Sequence, residues 1–282
     1  MDKVILLNKP IGITSFSAVR KCRSIYHEKK AGHTGTLDPN ASGLMIVLLG
    51  KYTKLAPYCL SNHKQYYAEF EMGIQTDTED IWGTILDQKE PQIHTEQELK
   101  DACQKFIGLI LQVPPMYSAI KKAGKKLYEY ARQGETIERE PRQVEISSLQ
   151  VTHIEGNRYA MNATVSSGTY IRTLITDYCA VVGELGTMTS LVRTSIEGLS
   201  LKDACVFADM EAGKEISISP LSVIDPVWKI VECHMPEMIL QGKRVYLKEE
   251  TSDKVIFEKD NELLAAYEKQ EDGMYQCKRG LF

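Results

Sequence analysis

At 282 residues, 43% of them apolar and 26% charged, the chain suits one large domain plus a small one around a real core. A formal net charge of −4 weighs against a surface uniformly built for polyanions, and no apolar run approaches the roughly 20 residues of a membrane span, so a cytoplasmic protein without membrane attachment is expected. Seven scattered cysteines, none paired as Cys-x-x-Cys, imply reduced structural thiols, and six histidines without ligand spacing imply no metal.

Charge is unevenly placed. Residues 1–33 carry seven Lys/Arg against two acids, residues 116–142 carry seven against four, and residues 203–282 reverse the balance with ten against sixteen. Two basic patches on an acidic chain fit local contact with a polyanion, or two solvated helical faces.

In chain order, Val4–Leu7 reads as a strand closed by the turn Lys9-Pro10-Ile11-Gly12. Thr14 or Ser15 caps a helix to about Tyr26. The stretch His33-Thr-Gly-Thr-Leu-Asp38-Pro39 follows, ahead of the apolar run Leu44–Leu49. Gly35 and Pro39 break regular structure there and leave Asp38 on a loop at the mouth of a strand. Taken alone, Asp-Pro reads first as a turn opener whose side chain accepts backbone hydrogen bonds. Lys51–Leu60 reads as a short helix, and Lys64–Met72 as a strand with Tyr66, Ala68, Phe70 and Met72 on one buried face.

The acids of Gly73–Asp80 lack the central Gly and terminal Glu of a calcium loop, so a polar turn is expected. Thr95-Glu-Gln-Glu98 is a capping box for a helix to about Phe106. After Val113-Pro-Pro-Met, residues Lys121, Lys122, Lys125, Lys126 and Arg132 interleave with Tyr128 and Tyr130, a pattern suited to RNA or to an ordinary exposed helix hairpin. Strands near 144–153 and 158–166 precede a helix along Ile171, Leu174, Ile175, Tyr178 and Val182. Arg172 in its first turn opposes the helix dipole, so it is either held by an anionic group or simply exposed. Leu191-Val192-Arg193 lies in a further strand, and Ser200 caps a helix through Ala208. Short β runs at Val245–Lys248, Val255–Glu258 and Leu263–Glu268, with a turn at Asp272-Gly273, read as a separate small domain.

Taken together these stretches resemble the TruB-type tRNA pseudouridine synthases. Gly32–Pro39 with Ala41-Ser-Gly43 is similar to that family's catalytic motif, and Asn8–Ser15 to its N-terminal signature. Lys64-Gln-Tyr66 with Gly73–Asp80 resembles its tyrosine motif, Val113–Ala119 with Gly124–Tyr128 and Ala131–Gly134 its thumb insertion, and Ser167–Thr173 its arginine motif. The five blocks keep the family's order across about residues 3 to 200.

The resemblance implies an α+β pseudouridine synthase fold, a mixed and largely antiparallel sheet flanked by helices. It implies a catalytic domain over 1–225 with a thumb at about 115–142, and a small PUA-like β domain over 226–282. It also implies isomerisation of a T-loop uridine of tRNA, conventionally position 55, to pseudouridine after base flipping, with no cofactor and no metal. Asp38 is then the nucleophile, Arg172 its charge partner and Tyr66 a stacking and proton-shuttling residue. His33, Tyr170 and Leu191 line the base pocket, with Asp80, Lys9 and Lys64 in support. The attacked carbon, uracil C6 or ribose C1′, is left open, with elimination to a glycal favoured, and a monomer gripping the tRNA T arm is expected.

Three alternatives stand beside this reading. One is a guide-RNA-dependent relative within a multi-protein particle, whose larger basic C-terminal part is not matched here. Another is a tRNA-binding or folding module without essential catalysis. The third is a hydrolase pairing Asp38 with Asp80, which needs the two carboxylates within roughly 5 to 10 Å.

Overall fold

A computed structural model describes residues 1–248 and 250–282. The chain divides into two compact units, one of residues 1–39, 43–61 and 200–282, the other of residues 40–42 and 62–199. No helix among the described residues is long and apolar enough to cross a membrane.

The first unit begins with β1 (Lys3–Lys9), α1 (Ser15–Ile25), β2 (Ala31–His33) and β3 (Ser42–Leu49). The continuous apolar run of β3 follows from its position: β1 pairs with it antiparallel from Lys3↔Leu49 to Lys9↔Gly43, β2 pairs with its far end, and Leu44 to Leu49 are all without solvent exposure. Thr14 caps α1 by accepting from the Ser17 amide at 3.0 Å. Ala18, Val19 and Cys22 of α1 pack on Ile5, Leu7, Met45, Val47 and Leu49. Residues Gly50–Tyr58 form a 3₁₀ helix where an ordinary short helix was expected.

The second unit is an antiparallel sheet read through β4 (His63–Met72), a hairpin of β5 (Ile74–Thr76) and β6 (Ile85–Gln88), and α2 (Glu96–Gln104). It continues through β7 (Gly108–Gln112), the short strands β8 (Lys121–Lys122) and β9 (Lys125–Lys126), and α3 (Leu127–Ala131). It ends with β10 (Arg142–Glu155), β11 (Arg158–Ser166), α4 (Ile171–Val181) and β12 (Gly186–Ile196). The spatial order is β12-β4-β11-β10-β7. Thr95 and Glu98 form the expected capping box at α2. The basic segment after residue 120 is a β-hairpin followed by one helical turn, and its reversal uses Ala123 (φ 51°) and Gly124 (φ 83°), two left-handed residues as a type I′ turn requires.

In the rest of the first unit, Ser200 caps only a 3₁₀ turn, Leu201–Asp203, and a separate short helix spans Phe207–Glu211. The expected helix through Ala208 is broken because Cys205 is extended beside β1: its amide donates to Leu6 O and its carbonyl accepts from the Asn8 amide, both at 2.9 Å. The chain ends in a sheet of Lys229–Glu232, Lys254–Lys259, Glu262–Lys269 and Tyr275–Gly280 in that order, the first pair parallel. It has its own core of Val245, Val255, Phe257, Leu264, Tyr267 and Tyr275. Val245 makes only a bridge to Tyr275, so the run expected at Val245–Lys248 is not a strand.

The cysteines are free thiols, five of the seven buried. Burial pushes the Cys22 and Cys59 thiols up to about 12.

Helix α4 approaches its sheet closely where β12 starts. A Cβ at Gly186 would lie 2.2 Å from Cys179 Sγ and 2.7 Å from its Cβ, and Cys179 is fully buried. Gly186→Ala should therefore displace α4 and lower stability by about 1–3 kcal/mol, read as a shift in denaturation midpoint at constant m-value.

Candidate active site

Asp38 lies half-buried on the loop between β2 and β3, and the residues on either side of it are tied down. The Leu37 amide donates to Ser15 Oγ at 2.8 Å, and that hydroxyl donates to Leu37 O at 3.0 Å, so one buried side chain reproduces both bonds of a strand partner. On the other side, Pro39 O accepts from the Gly12 amide at 2.8 Å and from Lys9 Nζ at 3.3 Å. Lys9 is fully buried. Its ammonium also donates to Pro10 O (2.8 Å) and Ile13 O (2.9 Å), which offsets the cost of taking the charge out of water. The Pro-Ile-Gly turn and the Asp38 loop are thus one hydrogen-bonded body. His33, at the end of β2, pairs with Val47 of β3 and leads into that loop.

In the second unit Arg172 is the second residue of α4 and is buried, which removes the exposed-cation alternative. Nη1 donates to Thr78 O at 2.8 Å and Nη2 to Tyr117 O at 2.9 Å, so the guanidinium fastens the β5–β6 turn and the Pro-Pro-Met-Tyr segment to the start of the helix. These carbonyl dipoles supply negative potential where the helix dipole does not. Tyr170 precedes the helix, its amide donating to Gln112 Oε1 (2.8 Å) and its carbonyl accepting from Gln112 Nε2 (3.1 Å). Asp80 caps its own turn: Oδ1 accepts from Thr78 Oγ1 at 2.6 Å and from the Trp82 amide at 3.2 Å. Glu79, in a left-handed conformation (φ 64°), accepts from Thr173 Oγ1 at 2.6 Å. Burial raises its carboxyl above the usual carboxylate range, against the opposing pull of the Thr173 hydroxyl and the Arg172 charge.

Tyr66 and Leu191 share a face. On β4, Lys64, Tyr66 and Ala68 alternate toward one side. Across the ladder Arg193 stands opposite Tyr66, Leu191 opposite Ala68, and register breaks fall on either side of the Leu191–Arg193 stretch. Arg193 is almost completely buried beside Tyr66, a placement the sequence reading passed over; the signal was present in the alternation, since a buried Leu191 commits Arg193 to the same side. Lys64 Nζ donates to Ser167 Oγ at 3.1 Å. Burial pushes Lys64 down to about 8, the Arg193 charge adding to that and Glu197 opposing it. Of the expected site residues, then, Lys9, His33 and Asp38 stand in the first unit, and Lys64, Tyr66, Asp80, Tyr170, Arg172 and Leu191 in the second.

The family described as "TruB family pseudouridylate synthase (N terminal domain)" matches residues 23–171. The chain belongs to the TruB family. It is 38% identical to the tRNA pseudouridine synthase B of Oenococcus oeni over 300 residues, 99% of this chain and 97% of the relative. It is 40% identical to that of Alkaliphilus oremlandii over 250 residues, 87% and 83% of the two chains. Among solved structures it resembles the chain titled "Crystal Structure of a Cbf5-Nop10-Gar1 Complex", with a TM-score of 0.72 and 21% identity over 99% of this chain and 85% of that one. The expected pseudouridine synthase fold is therefore the observed one. The TruB motifs expected from the sequence fall on the tied loop around Asp38, on β4, and on the start of α4.

Two measurements test this site. Ser15→Ala leaves the buried Leu37 amide and carbonyl without their partner, which should cost about 1–3 kcal/mol and remove hydrogen-exchange protection at Leu37. Lys64→Met removes a buried charge. Because the folded pKa of Lys64 lies below the ordinary lysine value, its penalty is full at pH 7 and is relieved as pH rises from about 8 towards about 10.5. Lys64→Met should therefore be the more stable protein at pH 7, with the gap closing over that window; a gap independent of pH would refute the assignment.

Proposed function

We propose that this TruB-family protein isomerises a uridine in the T loop of tRNA, position 55, to pseudouridine. The carrying observation is the doubly tied loop that presents Asp38, in a chain whose TruB-like motifs run in family order. Asp38 is the catalytic carboxylate and Arg172 the catalytic cation. Tyr66 stacks on the uracil, and His33, Tyr170 and Leu191 hold the flipped base. Lys9, Lys64 and Asp80 fix the elements that carry these groups.

A uridine within a folded tRNA must leave its stack before any group can reach it. The N1–C1′ bond then breaks, the uracil turns, and C5 takes the place of N1 on C1′. We assign the elimination route. The C2′ proton passes by way of the Tyr66 hydroxyl to the Asp38 carboxylate as the uracil departs with the bonding pair on N1, leaving a glycal. C5 adds to C1′, the proton returns to C2′, the C5 hydrogen leaves as a proton, and N1 gains one. No electrons enter or leave, so the reaction asks for no redox cofactor.

The basic hairpin after residue 120 and the lysine-rich N-terminal segment grip phosphates of the T arm. Residues 226–282 form the PUA-like domain beside a catalytic domain of 1–225, and the protein acts as a cytoplasmic monomer; a dimer mass by light scattering would remove the last point.

The decisive assay incubates an unmodified tRNA transcript with the protein or with Asp38→Ala and maps pseudouridine by carbodiimide-dependent primer-extension stops. One new T-loop stop is expected with the wild type and none with Asp38→Ala. A substrate deuterated at C2′ should react more slowly; equal rates would replace elimination with direct attack at C6 or C1′. Tight tRNA binding without any stop would favour a binding module.

A further inference from the structure

The chain has two tryptophans, and the fold treats them oppositely. Trp228 is buried and meets Tyr58 edge-on with ring centroids 4.8 Å apart. Trp82 is 52% exposed at the turn between β5 and β6. Exposing an indole gives up the burial that ordinarily makes tryptophan useful to a fold.

The turn holding Trp82 is fixed. The Thr84 amide donates to Asp77 Oδ1 at 2.7 Å, the Gly83 amide to Asp80 O at 3.1 Å, and the Trp82 amide to Asp80 Oδ1 at 3.2 Å. A Cβ at Gly83 would fall 2.2 Å from Thr78 Oγ1, so the chain passes there with no room to spare. The acids at the tip face inward: Asp77 and Asp80 accept from the turn itself and Glu79 from Thr173. The carbonyl of Thr78, in the same turn, holds Arg172.

The second carbonyl on Arg172 belongs to Tyr117, at the root of the basic segment. In that segment Lys125 lies over the Tyr130 ring at 4.4 Å, and Lys126 and Arg132 over Tyr128 at 5.4 Å each. A rigid exposed indole, one arginine away from a cationic, aromatic surface, is what an unpaired nucleotide recognises: π-face for the base, cations for the backbone.

We propose that Trp82 is a stacking platform for an unpaired base of the substrate RNA beside the flipped uridine. The inference rests on the RNA substrate proposed above and adds a contact to it. Preorganisation of the turn means that the stack forms without an ordering cost in the protein.

Intrinsic fluorescence tests it on the full chain, with Asp38→Ala as background so that no turnover occurs. Titration with a T-arm stem-loop should quench emission saturably, and Trp82→Phe in the same background should abolish the quench while filter retention shows the RNA still bound. Trp82→Ala should weaken binding about tenfold and Trp82→Phe by less than about threefold, as expected when one aromatic face is lost or kept. Retained RNA with unchanged emission, or unaltered affinity in Trp82→Ala, overturns the proposal. So does self-association lost in Trp82→Ala with RNA binding intact, which would make the exposed Ile81–Leu86 surface a protein contact. Pseudouridine formation is scored separately: its absence from the wild type, with quenching intact, would refute the enzymatic reading and leave the stack standing.

Discussion

Two loops of the second unit are fastened by a buried cation. Arg172 is held where a helix dipole resists it, and two of its bonds go to the main chain of separate segments, the β5–β6 turn at Thr78 and the Pro-Pro-Met-Tyr segment at Tyr117. Backbone carbonyls cannot be substituted away, so the position of the guanidinium is written into the path of the chain. In exchange, the guanidinium ties both loops to the start of α4. Removing it would strand both carbonyls and release both loops together.

The first unit solves the matching problem with a buried hydroxyl and a buried ammonium. A loop carrying a reactive carboxylate needs flexibility in sequence and rigidity in space. Ser15 supplies a strand-like pair of bonds to Leu37, while Lys9 and Gly12 share Pro39 O, so the peptide units on either side of Asp38 are fixed. Preorganisation of this kind is worth more to a reacting group than proximity alone.

Much of this was legible in the sequence, for reasons that differ by residue. The continuous apolar run of β3, the capping box at Thr95 and the alternation through Tyr66 are local patterns, and each gave the observed element. Thr14 and Ser15 both have the spacing of a helix cap; Thr14 takes that role, leaving Ser15 to reach a residue 22 positions away. Long-range bonds of that sort leave no local trace. The same holds for Cys205, whose bridge to β1 overrides a helical stretch, and for Arg172, whose burial no periodicity announces. Arg193 differs, because the alternation that buried Leu191 already implied it.

The deeply buried thiols have a kinetic consequence. Cys22 sits in the core formed by α1, β1 and β3, and Cys179 lies on α4 against the start of β12. A buried thiol, held protonated by its surroundings, reacts with a disulfide reagent only when its layer opens. Each unit therefore contains its own clock. The labelling rate of Cys22 times the breathing of the first unit and that of Cys179 the second, so the chain can report from within whether its halves come apart together or one at a time.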